Sequence, residues 1–563
     1  MNAPAATGWR AWLRRNAATI ARWKAIVFAA LVLALAGALM VAERDWAGTR
    51  DLAPDPETAF VQGSIGTEFI PLAVARVLGD LPGAAEHFQP AGPAAGDWIE
   101  QFGFIRRAAD DPLAPLPLGL TLSNYRPATG APSPIPFVGV GCGACHSVEV
   151  EAPDGNRTVV IGAGNPALDL IAWGEALRAT ILATDDPEGP RPGADWIVTA
   201  DAIFDAYETA TGDSLPWFPD KLMISLWLGG FRDVLLADLG KYDEPFGGAA
   251  LRDATMNPVG PARTAPFRSL TRIVMDRPGT LDNAFSKIAT VYHQGWKEWS
   301  QFDGSVRNRI SRSAMAALTA GATQDNLMQP PITANVVAAA TFTYDLAAPP
   351  FAQVFPDHAP AADAAARGAA SYATHCAYCH GTPDGAGGWT PGATTGAVLP
   401  VADVGTDPQR VEFRHAVRAP TWLYDVFAKF PEGHDLRLAE DDMRPRPRGD
   451  PADFRPGYLN APIDGAWVRA PYLHNGSVPT LAQLVGLECR AQAHFRGKHA
   501  YDVAAVGLAD TGAPAATRYF AYDPSVKGNG NGGHVYPDWP CGDGLSDAQR
   551  AELEDLLAYL KTL

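Results

Sequence analysis

The chain has 563 residues, a formal net charge of -17 at pH 7 and 19% charged residues. A single hydrophobic core stops growing well below this length, so we expect two domains. The composition is that of a globular protein rather than a disordered or fibrous one. The acidic balance argues against nucleic acid as a partner, because phosphate binding requires a basic footprint.

An apolar run of 18 residues lies near the N-terminus, from Ala25 to Ala42. A helix of that length just crosses a bilayer core of about 30 Å. Basic residues precede the run, so the positive-inside rule keeps the N-terminus cytoplasmic and exports the chain beyond Ala42. The sequence therefore predicts a single-pass anchor in the inner membrane with the remainder in the periplasm. A signal peptide cleaved near Ala36-Gly37-Ala38 is the alternative.

Four of the six cysteines fall into two Cys-x-x-Cys-His pentapeptides, Cys142-Gly-Ala-Cys145-His146 and Cys376-Ala-Tyr-Cys379-His380. This spacing is the attachment signature of c-type haem, in which the two thiols bind the haem and the histidine ligates the iron. Zinc sites or disulfides are the alternative, but no second Cys or His pair stands at zinc-finger spacing. The sequence thus predicts two covalently bound c-type haems.

Helix signals surround the second pentapeptide. Ala361 to Thr374 is an Ala-rich amphipathic segment with Gly368 eight residues before Cys376. Ser546 to Leu563 begins with a capping box and carries four leucines on one face. In cytochrome c domains such a terminal helix crosses the helix before the haem. The first pentapeptide follows an extended, Pro-rich segment instead.

Several further segments resemble the bacterial di-haem cytochrome c peroxidase superfamily, and more closely its rubber oxygenase (RoxA-like) cytochromes. The resemblance covers about residues 60 to 563. Its segments are Gly63-Ser-Ile-Gly-Thr-Glu68, Pro117-Leu-Gly-Leu120, Cys142 to His146, Trp296-Lys-Glu-Trp-Ser-Gln-Phe-Asp-Gly304, Val404-Gly-Thr-Asp-Pro408, Asp464-Gly-Ala-Trp-Val-Arg-Ala-Pro-Tyr-Leu-His-Asn-Gly-Ser477 and Gly528-Asn-Gly-Asn-Gly-Gly-His534.

The resemblance implies a mainly α, loop-rich fold with two cytochrome c-like haem domains, here placed behind the N-terminal transmembrane helix. The predicted divisions are 1–50 for the cytoplasmic N-terminus and anchor, 51–350 for the first haem domain and 351–563 for the second. The resemblance also implies redox chemistry with dioxygen or peroxide and a redox partner that donates or accepts electrons. It does not fix a substrate.

The sixth ligand of each iron decides between electron transfer and chemistry. The resemblance implies that His534 is the distal ligand of the second haem. His474 is the alternative ligand, although in the superfamily the corresponding histidine more often has a structural role. No histidine lies between His146 and His293. The first iron is therefore expected to keep an exchangeable position, unless a methionine closes it. The candidates are Met223, Met256 and Met275.

The resemblance places Trp296, Trp299 and Phe302 near the haems as candidate catalytic residues. They would relay electrons between the irons or line the distal pocket, and ordinary core packing is the alternative. Arg263 is expected to pair with a haem propionate or to form a surface ion pair. Cys489 and Cys541 are left over, and a disulfide between them would tie the Cys489 loop to the segment beyond His534.

Two classes of function remain. In the first, the chain is a haem-dependent oxidoreductase of the peroxidase or RoxA-like oxygenase class, in which dioxygen or peroxide reacts at the first haem and electrons pass through the second. In the other, it is a non-catalytic, membrane-tethered di-haem electron carrier with both irons six-coordinate. A haem-based sensor would need an output domain, for which the sequence gives no signal.

Overall fold

A computed structural model describes residues 17–48, 53, 55–88, 98–111, 113–114, 116–126, 131–243, 259–265, 284–304, 306, 309–412, 427–437, 457–497, 499–509 and 520–563. Seventeen α-helices are described. In chain order they are α1 (Ala17–Gly48), α2 (Pro56–Gln62), α3 (Leu72–Ala75), α4 (Trp98–Gln101), α5 (Cys142–Cys145), α6 (Leu170–Ile181), α7 (Ala200–Thr211), α8 (Leu222–Asp243), α9 (Arg309–Thr319), α10 (Gln324–Leu327), α11 (Pro330–Asp345), α12 (Phe351–Val354), α13 (Ala362–His375), α14 (Ala377–His380), α15 (Val401–Val404), α16 (Leu481–Val485) and α17 (Asp547–Leu560).

The described strands form one three-stranded sheet and six two-stranded sheets, all antiparallel. The larger sheet has the order β1-β3-β2 and leads directly into the first pentapeptide. The strands are β1 (Ile70–Pro71), β2 (Leu120–Arg126), β3 (Ala131–Val140), β4 (Ser147–Glu151), β5 (Arg157–Ile161), β6 (Arg263–Thr264), β7 (Ser286–Lys287), β8 (Thr382–Pro383), β9 (Trp389–Thr390), β10 (Val398–Pro400), β11 (Gly457–Leu459), β12 (His494–Arg496), β13 (Tyr501–Asp502), β14 (Gly507–Leu508) and β15 (Phe520–Tyr522).

The predicted fold class was wrong in two respects. The described residues combine helices with several small sheets, and only the second pentapeptide has a cytochrome-like crossing of helices, so two cytochrome c-like haem domains are not shown. The strands were missed because prolines in β3 argue against a paired strand, yet β3 pairs on both sides. The domain boundaries themselves stay a prediction.

The predicted transmembrane anchor, and with it the inner-membrane location, was also wrong. In the part of the chain that the structure describes, none of the helices combines the length and apolar character needed to cross a membrane. The prediction rested on the apolar run from Ala25 to Ala42, which is part of α1 in the structure. That run is shorter than the roughly 20 residues that a spanning helix usually needs.

The helical frame of the second pentapeptide is the crossing of α13 and α17. The capping box between Ser546 and Gln549 is confirmed, and the four leucines of α17 are buried. Gly368 of α13 stands so close to α17 that a Cβ atom there would lie 1.9 Å from the carbonyl oxygen of Asp555. Arg367 donates to both carboxylate oxygens of Asp555, at 2.7 and 2.8 Å. The crossing fixes the end of α13, from which the second pentapeptide follows directly.

Candidate haem sites

The first pentapeptide is held by close backbone packing rather than by crossing helices. Cys142–Cys145 forms the single turn α5 just after β3. A Cβ atom on Gly143 would lie 2.4 Å from the carbonyl oxygen of Val61 at the end of α2, and one on Gly119 would overlap the backbone of Ala144. Only glycine permits such an approach. The Pro-rich strand and these glycines therefore replace the helix pair of the second site.

His146 is oriented as a haem ligand requires. Its Nδ1 lies 2.9 Å from the carbonyl oxygen of Ala289, which can only accept, so Nδ1 carries the proton and Nε2 keeps its lone pair. Burial, together with the charge of Arg312, lowers the pKa of His146 to about 4 despite that hydrogen bond. The ring is therefore neutral near pH 7, which is the form that binds metals.

The surroundings of the first site include aromatic and apolar side chains. The ring of His146 lies 6.4 Å from that of Phe60, which in turn contacts Phe342 at 5.4 Å between centroids. Met223 is buried in an apolar core cluster against which Cys145 also packs. Met256 and Met275 lie outside the described residues. The expectation of an exchangeable first iron stays a prediction.

The second pentapeptide continues directly from α13 into α14. The buried Tyr372 donates from its hydroxyl to the carbonyl oxygen of Gly381 at 2.9 Å, which ties α13 to the turn after His380. Nδ1 of His380 lies 2.8 Å from the carbonyl oxygen of Ala461, so Nε2 is again left for a metal. Burial lowers the pKa of His380 as well.

His534 faces His380 at the separation expected of two ligands on one iron. The two ring centroids are 6.0 Å apart. A histidine nitrogen lies about 2 Å from a metal that it binds, and the ring centroid roughly 1 Å further away, so two such rings on opposite sides of one iron stand about 6 Å apart. Burial, the neighbouring His380 and Arg490 lower the pKa of His534 to about 4, so this ring is also neutral. Its Nδ1 is buried without a hydrogen-bond partner among the described residues.

These residues fit a haem. Porphyrin supplies four ligands, so two neutral histidines complete a six-coordinate iron. Among the described residues no three His, Cys, Asp or Glu side chains gather to hold a bare metal ion.

The loop that carries His534 is held by segments distant in sequence. The backbone N–H of His534 donates to the carbonyl oxygen of Val404 at 2.7 Å, and that of Gly530 donates to Asp407 at 3.1 Å. The Asn475 amide donates to the carbonyl oxygens of Gly528 and Gly530, at 3.2 and 2.9 Å. Two other segments that carry the family resemblance therefore contact this loop, which is itself part of a third.

His474, the rival ligand, has a different partner. Its Nε2 lies 3.0 Å from the hydroxyl of Tyr458, which itself donates to the carbonyl oxygen of Asp407 at 2.6 Å. The Tyr458 hydroxyl can donate only one proton, so it accepts from His474. Phe302 touches the His474 ring edge-on, with centroids 6.4 Å apart, and the Arg410 guanidinium lies 5.8 Å from the Phe302 centroid. His474 thus has the contacts of a structural residue.

Trp296 lies beside the second site. Its ring stacks on Trp389 at 5.9 Å, and the Trp389 indole N–H donates to the carbonyl oxygen of His380 at 2.6 Å. A second ring neighbour is His293, whose ring stacks on Trp296 at 3.7 Å with planes only 4° apart. His293 in turn lies 2.9 Å from the carboxylate of Asp464. Trp389 and His293 were not found as site residues from the sequence, since neither belongs to a haem motif, and Asp464 was noted only as the start of a family-like segment.

The remaining predicted residues have mixed outcomes. The Cys489–Cys541 disulfide is confirmed, with a Cα–Cα distance of 5.0 Å. Trp299 is buried, and its role stays a prediction. Arg263 is not part of a surface pair: it is buried and donates at 2.6 Å both to the carbonyl oxygen of Val259 and to the side-chain oxygen of Asn529 in the His534 loop.

Together these features indicate a c-type cytochrome. Residues 457–495 match the family model described as RoxA-like, cytochrome c-like. This segment supplies Ala461, which orients His380, and Asn475 and Arg490, which contact the His534 loop.

Two proteins of Sinorhizobium fredii (strain NBRC 101917 / NGR234) are similar to the chain, and both are uncharacterized. The uncharacterized protein y4iM is 30% identical over 49% of this chain and 64% of its own length. The uncharacterized protein y4iJ is 25% identical over 84% of this chain and 86% of its own length. The chain therefore spans just under two thirds of the first relative and most of the second.

Proposed function

We propose that the protein is a di-haem c-type cytochrome oxidoreductase of the di-haem peroxidase superfamily, close to its RoxA-like members. Haem at Cys142, Cys145 and His146 would react with dioxygen or peroxide, and haem at Cys376, Cys379 and His380 would store and transfer electrons. The observation that carries this division is the 6.0 Å separation of the His380 and His534 rings. Bound haem would supply the redox-active iron, and the protein side chains would determine which iron keeps an exchangeable coordination position.

The difference between the two sites supports this assignment. His380 has a second neutral imidazole opposite it, whereas the ring contact of His146 is with the apolar Phe60. The sequence offers no histidine between His146 and His293. An oxidant needs an exchangeable coordination position, and a six-coordinate bis-histidine iron must first lose a ligand. The first haem is therefore the better candidate for reaction with the oxidant.

The tryptophan pair would connect the second site with the interior. Trp389 is hydrogen-bonded to the backbone of His380, and Trp296 stacks upon it. The stacked indoles provide a contiguous path of π-electrons that starts at the second pentapeptide and ends at Trp296. The same segment contains Ala289, whose carbonyl oxygen accepts the hydrogen bond of His146 at the first site. Trp296 would then act as an electron relay, while Trp299 and Phe302 would contribute to the walls of the sites.

A non-catalytic electron carrier is the competing function. It requires a protein ligand on both irons, which Met223, Met256 or Met275 could supply to the first.

The test is ligand titration followed by electron paramagnetic resonance on the haem-loaded protein. Wild type should contain two haems by pyridine haemochrome assay, and the variants Cys142→Ala and Cys376→Ala one each. Cyanide should change the ferric signal of wild type and of Cys376→Ala, but not that of Cys142→Ala. If neither haem responds to cyanide or peroxide, the protein is an electron carrier, and fewer than two haems in wild type would refute the di-haem assignment.

A further inference from the structure

His534 has a backbone conformation that needs support. Its φ is +48°, in the left-handed region that residues with a side chain rarely occupy, and the preceding Gly533 has a φ of +69°. A Cβ atom on Gly533 would lie 2.1 Å from the backbone carbon of Gly405. Residues held in such conformations cost about 1–3 kcal/mol each and persist only where neighbouring contacts determine them. Contacts from elsewhere in the chain must therefore hold the backbone of His534 in this conformation.

Arg490 makes the most direct contacts with this turn. Its guanidinium donates to three acceptors, the carbonyl oxygens of Asn531, of Gly533 at 2.7 Å and of His534 itself at 3.1 Å. The backbone carbonyl of the next residue, Ala491, accepts from the Asn531 amide at 3.0 Å. One planar, permanently charged group therefore holds the three carbonyls in the arrangement that points the His534 ring at His380.

The anchor of Arg490 is the disulfide next to it. Cys489 is bonded to Cys541, seven residues beyond His534, so the His534 loop is fixed to the Arg490 segment both through the side chain and through the chain itself. The backbone N–H of Gly542 also donates to the carbonyl oxygen of Gly486 at 3.2 Å. A guanidinium on a tethered backbone loses less freedom on forming its hydrogen bonds than one on a free loop.

We propose that Arg490, anchored by the Cys489–Cys541 disulfide, is the positioning residue that keeps His534 on the second iron. The inference rests on the proposed bis-histidine haem and adds to it a group that acts through the backbone of the His534 turn. Without the three hydrogen bonds the turn relaxes from its left-handed conformation, the His534 ring withdraws, and the coordination position becomes exchangeable. The second haem would then bind external ligands that wild type excludes.

The experiment compares Arg490→Gln and Arg490→Lys with a matched control, Arg550→Gln. Arg550 also donates to a backbone carbonyl near the disulfide, that of Gly542 at 2.9 Å, but it does not contact the His534 turn. Cyanide binding at the second haem is measured in the Cys142→Ala background, so that only one haem is observed. Hydrogen bonds from a charged donor predict a cyanide affinity at least about tenfold higher in Arg490→Gln. Arg490→Lys should recover part of the wild-type behaviour, and Arg550→Gln should equal wild type.

Loss of low-spin signal in Arg490→Gln, together with increased cyanide affinity, supports the inference. A wild-type signal and wild-type affinity in Arg490→Gln overturn it, as does an equal effect of Arg550→Gln. If Arg490→Gln does not fold, the Cys489→Ser/Cys541→Ser double variant is expected to raise the cyanide affinity in the same direction, and an unchanged affinity there overturns the inference too. The variant His534→Ala distinguishes the proposed ligation from the positioning role of Arg490. If His534→Ala leaves the second haem low-spin, the proposed ligation is refuted. If His534→Ala changes the spin state and Arg490→Gln does not, only the positioning role is refuted.

Discussion

Gly368→Ala should destabilise the protein, although alanine is the better helix former. A Cβ atom at this position would lie 1.9 Å from the carbonyl oxygen of Asp555, 2.5 Å from its carbonyl carbon and 2.9 Å from Cβ of Tyr559. Two of these three are backbone atoms of α17, which cannot rotate away. The helices would have to separate by more than about 1 Å, and overpacking of this kind costs about 1–3 kcal/mol.

The sign of the net effect depends on two opposing contributions to the free energy of unfolding. Alanine gains about 1 kcal/mol over glycine within a helix. Separation of α13 and α17 also stretches the bidentate pair between Arg367 and Asp555 and the hydrogen bond from Ser371 to Glu552 at 2.9 Å, and it weakens packing of the buried leucines. We expect a net loss of up to about 2 kcal/mol, because the overpacking cost of about 1–3 kcal/mol exceeds the gain of about 1 kcal/mol in helix propensity.

The matched control is Gly174→Ala. Gly174 lies within α6, and a Cβ atom there would have no heavy atom within 4 Å. Only the helix propensity changes, so this variant should be more stable than wild type by up to about 1 kcal/mol. Denaturant unfolding of the haem-loaded proteins, followed by far-ultraviolet circular dichroism, measures both. If Gly368→Ala is as stable as Gly174→Ala, the close crossing of α13 and α17 is refuted.

Three further predictions concern single side chains. Trp296→Phe should slow electron transfer between the haems while leaving the visible spectrum unchanged, because the residue contacts Trp389 and not a ligand histidine; stopped-flow reduction measures the rate. Leu556→Ala should reduce the free energy of unfolding by about 2–5 kcal/mol, since this fully buried leucine faces the helix crossing; denaturant titration measures the loss. Asp464→Asn should reduce the free energy of unfolding above about pH 4, the ordinary aspartate pKa. Below that pH, the free energy of unfolding of the variant should fall less steeply than that of wild type; unfolding measured from about pH 3 to pH 7 shows both.

The direction of this change in stability with pH follows from the pKa of Asp464. Burial opposes ionisation of Asp464, but the hydrogen bond from His293 and the charges of Arg469 and Lys297 hold its pKa below the usual value. A carboxylate with a lowered pKa stabilises the folded state above the unfolded pKa and loses that contribution as the pH falls through the folded value. A variant whose free energy of unfolding falls in acid as steeply as that of wild type would contradict the assignment. Likewise, unchanged electron transfer in Trp296→Phe would exclude the relay, and a loss below about 1 kcal/mol in Leu556→Ala would contradict its burial.

The sequence predicted the features that local chemistry determines. The capping box of α17 requires only Ser546 and Gln549 three residues apart, and the Cys489–Cys541 disulfide was expected from two cysteines left after the haem motifs. The small sheets were not predicted, because strands of two or three residues carry no alternation of apolar and polar side chains. Their pairing depends on partners far away, as in β10 with β11.

The side chains that support the candidate site were hardest to predict. Trp389 and Arg490 belong to no motif, and each acts through backbone atoms: the indole N–H binds the carbonyl of His380, and the guanidinium binds carbonyls of the His534 turn. Backbone acceptors are present at every residue, so sequence gives no sign of which one is used.

The way each site is held bears on the proposed division of labour. His534 is held by its backbone bond to Val404, by the contacts of Arg490 with its turn and by the contacts of Asn475 with the preceding glycines. These groups come from separate segments and act together, so the intact set favours a ligand that stays bound through repeated changes of iron charge, and loss of the Arg490 contacts weakens that hold. His146 is equally well oriented on its own side, through Ala289, so the two proximal ligands do not distinguish the sites. The distinction lies in the group that the protein provides opposite each proximal histidine, and we therefore expect exchange chemistry at the first haem to survive substitutions in the His534 loop.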